Sequence, residues 1–541
     1  MSVTEGFRRL AGRIVDELLE SEPVAATWLG DHRFDDRLPD LSDVPGRLAR
    51  IDDRVTELDA VDDIELDVSD LVDLEILRAR LLRTRFELGD LVAHTWDPMV
   101  WNPGTALYLL MSREFAPVDD RAQSMRGRLA AVPDHLAEAR RQLGDMSRIH
   151  VETAIAQLDG TRAMIDGPAR ALAGDDAVAD RASVHVADFV EWLTDRLPDA
   201  HRSPRLGAAM YAATLWHSLD DDTSADDLLD DARQHLDAIN DRMREVAARY
   251  LGSGSDGDDA VRAALAEIAR QAPVTDDTVL PLMESALART TEFVRQHDLV
   301  AIPDLDVRVI EMPEIHRGVA VAYCDAPGPL EAPGMPTYVA VSPAPGDWSA
   351  ERVASFYREY NGVQLHNLTV HEAMPGHVLQ LAHAQRLTSP TAVRRFGRSG
   401  VFVEGWAVYA EELMVARGYA PSDDDRAPLA MEMQQLKMLA RGTINAMLDV
   451  FVHAHDLSEA EGLALMQDRG FQEEGEAVGK WRRALLTAGQ LPTYYVGYRA
   501  LSGVAHDLRV LHPDWTDRAV HDLMLGHGSP APRHLRTLLG I

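Results

Sequence analysis

The sequence predicts a mainly α-helical protein with one small β-sheet. Apolar residues recur at three- and four-residue spacing through most of residues 1–300, as they do in amphipathic helices. The same spacing returns from residue 351 to the end of the chain. Between these two stretches, residues 303–345 contain three short runs rich in β-branched and aromatic residues, which are typical of strands.

The first helical stretch opens with an amphipathic segment, whose apolar face is formed by Phe7, Leu10, Ile14 and Leu18. Further helices are predicted at 47–64, 68–92, 119–145, 147–173, 178–197, 225–251, 258–271 and 276–298. Asp and Ser lie at or near many of their starts, where their side chains can accept hydrogen bonds from the first backbone amides. Ser224 is one such expected N-cap.

The three strand-like runs occupy residues 307–310, 319–323 and 337–341. We expect them to form a small antiparallel sheet beside the helix predicted at 364–386. An exposed edge strand at this position could pair with an extended peptide through main-chain hydrogen bonds. A purely structural hairpin explains the same pattern equally well.

The second helical stretch follows this sheet. Helices are predicted at 351–361, 364–386, 391–416, 426–455, 458–468, 473–487 and 490–508, with one or two closing helices at 515–540. We therefore expect an N-terminal helical lobe at 1–300 and a second lobe at 301–541 that contains the small sheet. Together the two lobes should form one cooperative unit.

The overall composition limits the classes of protein to which this chain can belong. With 541 residues and 46% apolar content, the chain is ordinary for a soluble globular protein. A formal charge of −34 opposes binding to nucleic acid or to an anionic membrane through a basic surface. The first 20 residues lack the continuous apolar region of a signal peptide, and no apolar run is long enough to span a bilayer. The expected location is the cytoplasm.

Two residue counts are unusual. Cys324 is the only cysteine, which excludes an intrachain disulfide, fits a reducing compartment and favours a structural role over a nucleophilic one. Lys437 and Lys480 are the only lysines, and all other basic side chains apart from histidine are arginine. We attribute this bias, together with the many Asp and Ala residues, to a GC-rich or salt-adapted genome.

The strongest chemical signal is the segment HEAMPGH, which runs from His371 to His377. Imidazole and carboxylate are usual zinc ligands, and a glutamate directly after the first histidine is the general base of many zinc peptidases. In a regular helix, however, histidines at i and i+6 lie about 120° apart and roughly 9 Å apart along the axis. Such a helix could not direct both side chains at one ion. A proline-kinked core helix with two incidental histidines is the alternative.

Pro375 and Gly376 can resolve this difficulty. Proline inside a helix removes one hydrogen bond and clashes with the carbonyl group four residues earlier, which is that of His371. Glycine tolerates the distorted backbone that follows. We predict a kink or a widened turn between Ala373 and His377 that turns the second histidine towards the first.

Two glutamates in a later helix complete the predicted metal site. Glu404 lies 27 residues after His377 and is the expected third ligand. Glu411 shares its helix face and either supports a ligand histidine or binds the metal in place of Glu404. A structural salt bridge to an arginine is the alternative for each glutamate. Glu372 is the expected general base, which polarises the attacking water and carries its proton.

Four further residues are candidates for supporting roles. Tyr494 and Tyr498 share a helix face at i and i+4, and a phenol is a suitable neutral donor to a developing oxyanion. Packing in the core is the alternative for both tyrosines. Asp449 and His453, also at i and i+4, form a possible carboxylate–imidazole pair, and a solvated helix pair is the alternative.

These segments resemble the bacterial domain-of-unknown-function 885 family. The likeness is carried by HEAMPGH at 371–377 and EGWAVYAE at 404–411, and it extends to Asp449, His453 and the Gly489–Gln490 pair. That family looks like a set of zinc peptidases related to helical gluzincins, including thermostable carboxypeptidases and oligopeptidases. Two positions depart from the family pattern: Val378 stands where a histidine is frequent, and Ala488 where proline is common.

The resemblance has implications for fold and site. It implies a mainly helical, two-lobed fold with a deep central cleft. It also implies one zinc ion per chain, held by His371, His377 and Glu404, with Glu372 as the base.

The sequence therefore predicts a cytoplasmic zinc metallopeptidase that hydrolyses short peptides by attack of water, without a covalent intermediate. A zinc amidohydrolase or esterase acting on a small non-peptide metabolite is the second hypothesis. A non-catalytic metal-binding protein is the third, but Glu372 argues against it, because a structural zinc site needs no adjacent base. Neither nucleic acid nor a membrane is an expected partner.

Overall fold

The computed structural model describes residues 2–252, 256–313, 321–332, 334–346 and 348–541. It is mainly helical, as predicted, and contains one small sheet of three strands. Residue contacts group the chain into two compact units. The first comprises Met1–Pro204, Pro327–Met335 and Thr388–Gly397, and the second comprises Arg205–Ala326, Pro336–Leu387 and Arg398–Ile541.

The helices before the sheet are α1 Val3–Ser21, α2 Pro23–Leu29, α3 Val44–Asp59, α4 Val68–Phe86, α5 Gly104–Ser112, α6 Val118–Gln142, α7 Arg148–Met164, α8 Arg170–Ala173, α9 Asp176–Arg196, α10 Ala208–Leu219, α11 Ala225–Leu251, α12 Gly257–Gln271 and α13 Asp276–Gln296. Helix α11 has the predicted bounds, and Ser224 caps it by accepting a hydrogen bond from the Asp227 amide at 3.1 Å. In the described part of the chain, no helix combines the length and apolarity needed to cross a membrane.

The strands are β1 Val307–Glu311, β2 Ala322–Asp325 and β3 Thr337–Val341. The helices after them are α14 Ala350–Glu359, α15 Gly362–Glu372, α16 His377–Gln385, α17 Val393–Phe396, α18 Gly400–Ala416, α19 Ala427–Ala454, α20 Glu459–Ala464, α21 Glu474–Leu486, α22 Pro492–Leu511, α23 Asp517–Leu525 and α24 Pro532–Leu539. Two segments predicted as single helices, 364–386 and 391–416, are each divided into two.

The boundary between the two compact units lies at Pro204–Arg205 and not near residue 300, where we predicted a division. The reason is packing. Helix α11 lies along α19, and α13 packs against α15, so the helices from α10 to α13 share a core with the C-terminal helices.

The sheet lies in the second unit and has the order β1-β3-β2. Strand β2 is antiparallel to β3, as predicted, but β1 is parallel to β3, so the sheet is mixed and not wholly antiparallel. The cause is that β3 takes the central position and receives β1 from the other side, which the sequence pattern does not specify. The predicted strand at 319–323 begins at Ala322; residues 319 and 320 lie outside the described residues.

Helix α15 occupies a central position in the second unit, where it packs against α13, α18 and α19. The Asn361 side chain caps it by accepting from the amides of Val363 and Gln364, both at 3.2 Å. Nearly all of its side chains are buried, apolar and polar alike. A helix packed on nearly every face holds its C-terminal residues in a fixed position.

Candidate metal centre

The helix is interrupted between the two histidines of HEAMPGH, as the sequence predicted. Helix α15 ends at Glu372, and α16 begins at His377. The intervening turn requires glycine, because a Cβ atom on Gly376 would lie 1.9 Å from the carbonyl oxygen of His371. The Trp406 indole N–H donates to the carbonyl oxygen of Pro375 at 2.8 Å and fixes the turn from α18. As a result, the two imidazoles lie close together in spite of their six-residue spacing.

Three ligand-type atoms converge at this break. The Nε2 atoms of His371 and His377 lie 3.6 and 3.5 Å from Oε2 of Glu404. For zinc bonds of 2.0–2.2 Å, neighbouring ligands of a tetrahedral ion are about 3.4 Å apart. The two imidazole rings stand nearly perpendicular, with centroids 4.8 Å apart. His371, His377 and Glu404 thus have the spacing of a three-ligand zinc site.

The environment of Glu404 also fits a cation. Its Oε2 atom is buried and has no hydrogen-bond partner among the described residues. A buried carboxylate oxygen without a partner is costly, and a metal ion bound by the three side chains would satisfy it. Although burial opposes ionisation, the two imidazoles hold the pKa of Glu404 well below its usual range. The carboxylate is therefore ionised, as a ligand must be.

Glu411 supports His371 and does not replace Glu404. Its Oε1 atom accepts a hydrogen bond from His371 Nδ1 at 2.7 Å, and its Oε2 atom accepts from the Asn367 amide at 2.6 Å. A proton on Nδ1 leaves the Nε2 lone pair directed at the convergence point, an arrangement usual for metal-ligating histidines. Burial lowers the pKa of His371, but Glu404 and Glu411 outweigh it and raise that pKa well above its usual value.

Glu372 is oriented by the sheet. Its Oε2 atom accepts a hydrogen bond from the backbone amide of Cys324, in strand β2, at 3.0 Å. Burial raises the pKa of the Glu372 carboxyl, while the nearby imidazoles of His371 and His377 oppose this shift. A carboxylate beside a metal site with a raised pKa is suited to accepting and returning a proton near neutral pH.

Two glycines place Glu404 and Tyr494 together. A Cβ atom on Gly405 would lie 2.3 Å from the backbone of Gly497, and one on Gly497 would lie 2.0 Å from the carbonyl oxygen of Val401. Helices α18 and α22 therefore approach each other backbone to backbone at this point. As a result, the Tyr494 ring stacks near the His371 ring, with centroids 6.5 Å apart.

The two tyrosines have different environments. Burial and the charge of Glu404 raise the pKa of the Tyr494 phenol to about 12, so it stays protonated and can donate. The Tyr498 phenol lies beside Glu412, whose side chain hydrogen-bonds to it and raises its pKa further. We therefore assign Tyr498 no part in the metal centre. Residues at i and i+4 share a face but lie one helical turn apart, and this turn separates their partners.

Asp449 and His453 do not form the predicted carboxylate–imidazole pair. Asp449 accepts hydrogen bonds from the Tyr211 hydroxyl at 2.9 Å and from the Gly489 amide at 2.7 Å. His453 instead contacts the carbonyl oxygens of Ala484 and Thr487, at 2.9 and 3.0 Å. Both side chains hold the segment between α21 and α22 in place, because backbone groups compete successfully for their polar atoms.

The sequence did not single out which of its many basic residues lie near the site. Arg483 donates to Gln490 Oε1 at 2.7 Å, and both side chains neighbour the Tyr494 hydroxyl. Lys480 lies on the same face of α21 as Arg483 and is buried. The rarity of lysine was a signal, which the sequence analysis attributed to genome composition alone. The number of lysines does not indicate that Arg483, on α21, lies against Gln490 and Tyr494.

A family model described as "Bacterial protein of unknown function (DUF885)" matches residues 23–539. A structure of a candidate lipoprotein of unknown function from Shewanella oneidensis is 27% identical, has a TM-score of 0.82, and aligns over 99% of this chain and 100% of that chain. A second candidate lipoprotein, from Colwellia psychrerythraea, is 15% identical, has a TM-score of 0.81, and aligns over 100% and 99%. These two proteins share the fold. No curated protein matches this chain significantly.

The M32 carboxypeptidase from Deinococcus radiodurans R1 aligns at 12% identity over 92% of this chain and 96% of that chain, with a TM-score of 0.34. A score this low supports no conclusion about fold or function. The candidate site therefore stands on its own geometry: three side chains that converge and could hold a metal ion, a carboxyl group on the residue after the first of them, and a protonated phenol.

Proposed function

Because the chain belongs to the family of bacterial proteins of unknown function DUF885, whose name assigns no reaction, we propose a function from the site itself. The protein is a zinc-dependent hydrolase, and more specifically a metallopeptidase that cleaves short peptides. The observation that carries the proposal is the convergence of His371, His377 and Glu404 beside Glu372. Three protein ligands leave one position of a tetrahedral zinc ion open, as in catalytic sites.

The side chains divide the chemistry among them. A zinc ion held by the three ligands supplies Lewis acidity, which polarises a carbonyl group and makes water easier to deprotonate. Glu372 accepts the proton of the attacking water at Oε1, because Oε2 is held by the Cys324 amide, and it later returns this proton to the leaving amine. Tyr494 donates its phenolic hydrogen to the oxyanion that develops on the substrate carbonyl oxygen.

A peptide substrate is favoured by strand β2. It pairs with β3, and the amide of its Cys324 donates to Glu372, so the strand runs directly beside the base. A peptide extended along this edge would have its main chain directly beside the base. Main-chain pairing with an edge strand is a common mode of peptide recognition that accepts varied sequences.

A peptide-library digest with and without a chelator tests the proposal. We expect cleavage of short peptides that the chelator abolishes and added zinc restores. A panel of small amides and esters is run in parallel, since hydrolysis of these alone would identify a different zinc hydrolase. If the zinc-loaded protein hydrolyses neither set, a non-catalytic metal site is the better explanation.

We also propose a cytoplasmic location, which rests on the single cysteine, because a chain without an intrachain disulfide fits a reducing compartment. The two proteins that share the fold are candidate lipoproteins, and that description is theirs. Fractionation of cells that express the full-length native gene, followed by immunodetection, tests the location; recovery in the membrane fraction would contradict it.

A further inference from the structure

The two lysines of the chain lie in one buried group of charges. Lys437 donates to Glu359 at 2.8 Å and is thus fully paired. Lys480 is only 7% exposed, yet its nearest carboxylate oxygen, on Glu476, is 4.0 Å away. Among the described residues, the Lys480 ammonium has no closer ion pair. Two lysines buried in a chain that otherwise uses arginine point to a specific requirement at these positions.

Glu476 is already occupied by other partners. Arg441 donates to its Oε1 atom, and the Tyr360 hydroxyl donates to its Oε2 atom at 3.0 Å. The single negative charge of Glu476 is therefore already balanced by Arg441, and none remains to balance Lys480. Burial, with the positive charge of Arg441, lowers the pKa of Lys480 to about 7, which reflects the same lack of compensation.

Arg483 is in a similar position. It lies three residues after Lys480 on α21, so the two side chains share a helix face. Its guanidinium donates to the neutral amide oxygen of Gln490 at 2.7 Å, and it has no carboxylate within 4.0 Å among the described residues. The pair therefore carries positive charge in excess of the acidic groups around it, and partly buried positive charge is unfavourable without an anion.

This pair lies next to the metal centre. Gln490 and Tyr494 lie one turn apart at the start of α22, and Arg483 reaches both side chains. On α19, a Cβ atom on Gly442, next to Arg441, would be 3.9 Å from the Tyr494 Cβ. Tyr494 in turn stacks near His371. The Tyr494 phenol therefore lies between Arg483 and the metal ligands, and Lys480 is the neighbour of Arg483 on α21.

We propose that Lys480 and Arg483 form an anion subsite that binds the C-terminal carboxylate of a peptide substrate. This inference rests on the proposed peptidase function and makes the enzyme an exopeptidase. A carboxylate accepts two hydrogen bonds from an arginine and a charge-assisted bond from a lysine.

Matched peptides that end in a free acid or in an amide test the subsite. We expect wild-type kcat/KM to be about 10- to 100-fold higher for the acid, the usual worth of a charged hydrogen bond. Lys480→Met and Arg483→Gln should each reduce this acid-to-amide ratio at least about tenfold. Lys480→Arg, which keeps the positive charge, should retain part of the wild-type ratio. The control is Arg482→Gln, at the exposed neighbouring position on α21, where the ratio should not change.

Binding provides a readout that does not need turnover. In the zinc-loaded Glu372→Gln protein, a free-acid dipeptide should bind more tightly than its amide by calorimetry, and Lys480→Met should remove that difference. Equal binding or equal hydrolysis of acid and amide, or variants that lower both equally, would overturn the subsite. Acid-selective binding without any peptide hydrolysis would count against the peptidase function and leave the subsite standing.

Discussion

Trp406 and Pro375 are joined by a single hydrogen bond, from the indole N–H to the proline carbonyl oxygen at 2.8 Å. Trp406 lies two residues after Glu404, and Pro375 lies two residues before His377. This bond therefore connects the helix that carries one ligand with the turn that positions another. The short motifs HEAMPGH and EGWAVYAE are parts of the same structural unit.

Trp406→Phe should loosen this connection. The substitution leaves the buried Pro375 carbonyl group without its donor, which typically costs about 1–3 kcal/mol. We expect a lower free energy of unfolding in urea and weaker zinc binding in a competition assay with a chromogenic chelator. Trp515→Phe, at a half-exposed position, is the control and should change neither quantity.

Gly376→Ala should damage the turn between the histidines. The added methyl group would lie 1.9 Å from the His371 carbonyl oxygen, so the backbone must move and the two imidazoles must separate. We expect zinc affinity to fall by at least about 100-fold, with a loss of about 2–4 kcal/mol in stability. On α22, Gly503→Ala meets no atom within 4 Å and should stabilise the protein slightly. Normal zinc binding by Gly376→Ala would show that the turn is not what aims His377.

Glu411→Gln tests the support of His371. The amide keeps the size of the side chain but removes the charge that favours a proton on His371 Nδ1. Loss of such a partner typically costs 10- to 100-fold in metal affinity, and we expect a loss in this range by chelator competition. Glu412→Gln, on the adjacent residue, should retain full affinity. Equal effects of the two substitutions would indicate a general change in α18 and not a specific loss of support.

His32 should make stability depend on pH independently of the metal centre. Its ring nitrogens contact Asp35 at 2.9 Å and Glu331 at 3.1 Å, and although burial lowers its pKa, these carboxylates raise the pKa to about 9. Because the folded-state pKa lies above the unfolded value of about 6.5, protonation of His32 stabilises the folded protein. This stabilisation is complete below a pH of about 6.5. The contribution, about 1–3 kcal/mol, is lost as pH rises through 9.

The measurement is the difference in unfolding free energy between wild type and His32→Gln across pH. This difference should be largest near pH 6 and smallest above pH 9. A difference for His32→Gln that grows as pH rises would contradict the assignment.

Much of the fold was predictable because most helices are long and amphipathic. Helix α11 matched its predicted bounds, and its cap was identified from Ser224. Three helices were missed: α2, α5 and α10. They are short, and α5 and α10 are apolar on nearly every face, so they show no periodicity to detect. The parallel pairing of β1 with β3 depends on tertiary packing, so the expected wholly antiparallel sheet was wrong in this respect.

The candidate site also has some features that were predictable from sequence and others that were not. The break between His371 and His377 was predictable, because proline and glycine restrict the backbone locally. The role of Glu411 required the structure to choose between two alternatives. The pairing of Asp449 with Gly489, and the approach of Arg483 to Tyr494, depend on the order in which α19, α21 and α22 pack, which no local pattern records.

We propose that Glu372 is the base of a zinc hydrolase, and the hydrolysis rate of zinc-loaded Glu372→Gln tests this role directly. The amide keeps the shape of the side chain and an oxygen for the Cys324 N–H, but it cannot accept the proton. We expect about one zinc per chain, as in wild type, and a rate at least about 100- to 10,000-fold lower on peptides that wild type cleaves. A zinc-loaded variant that hydrolyses those peptides at the wild-type rate would contradict the account.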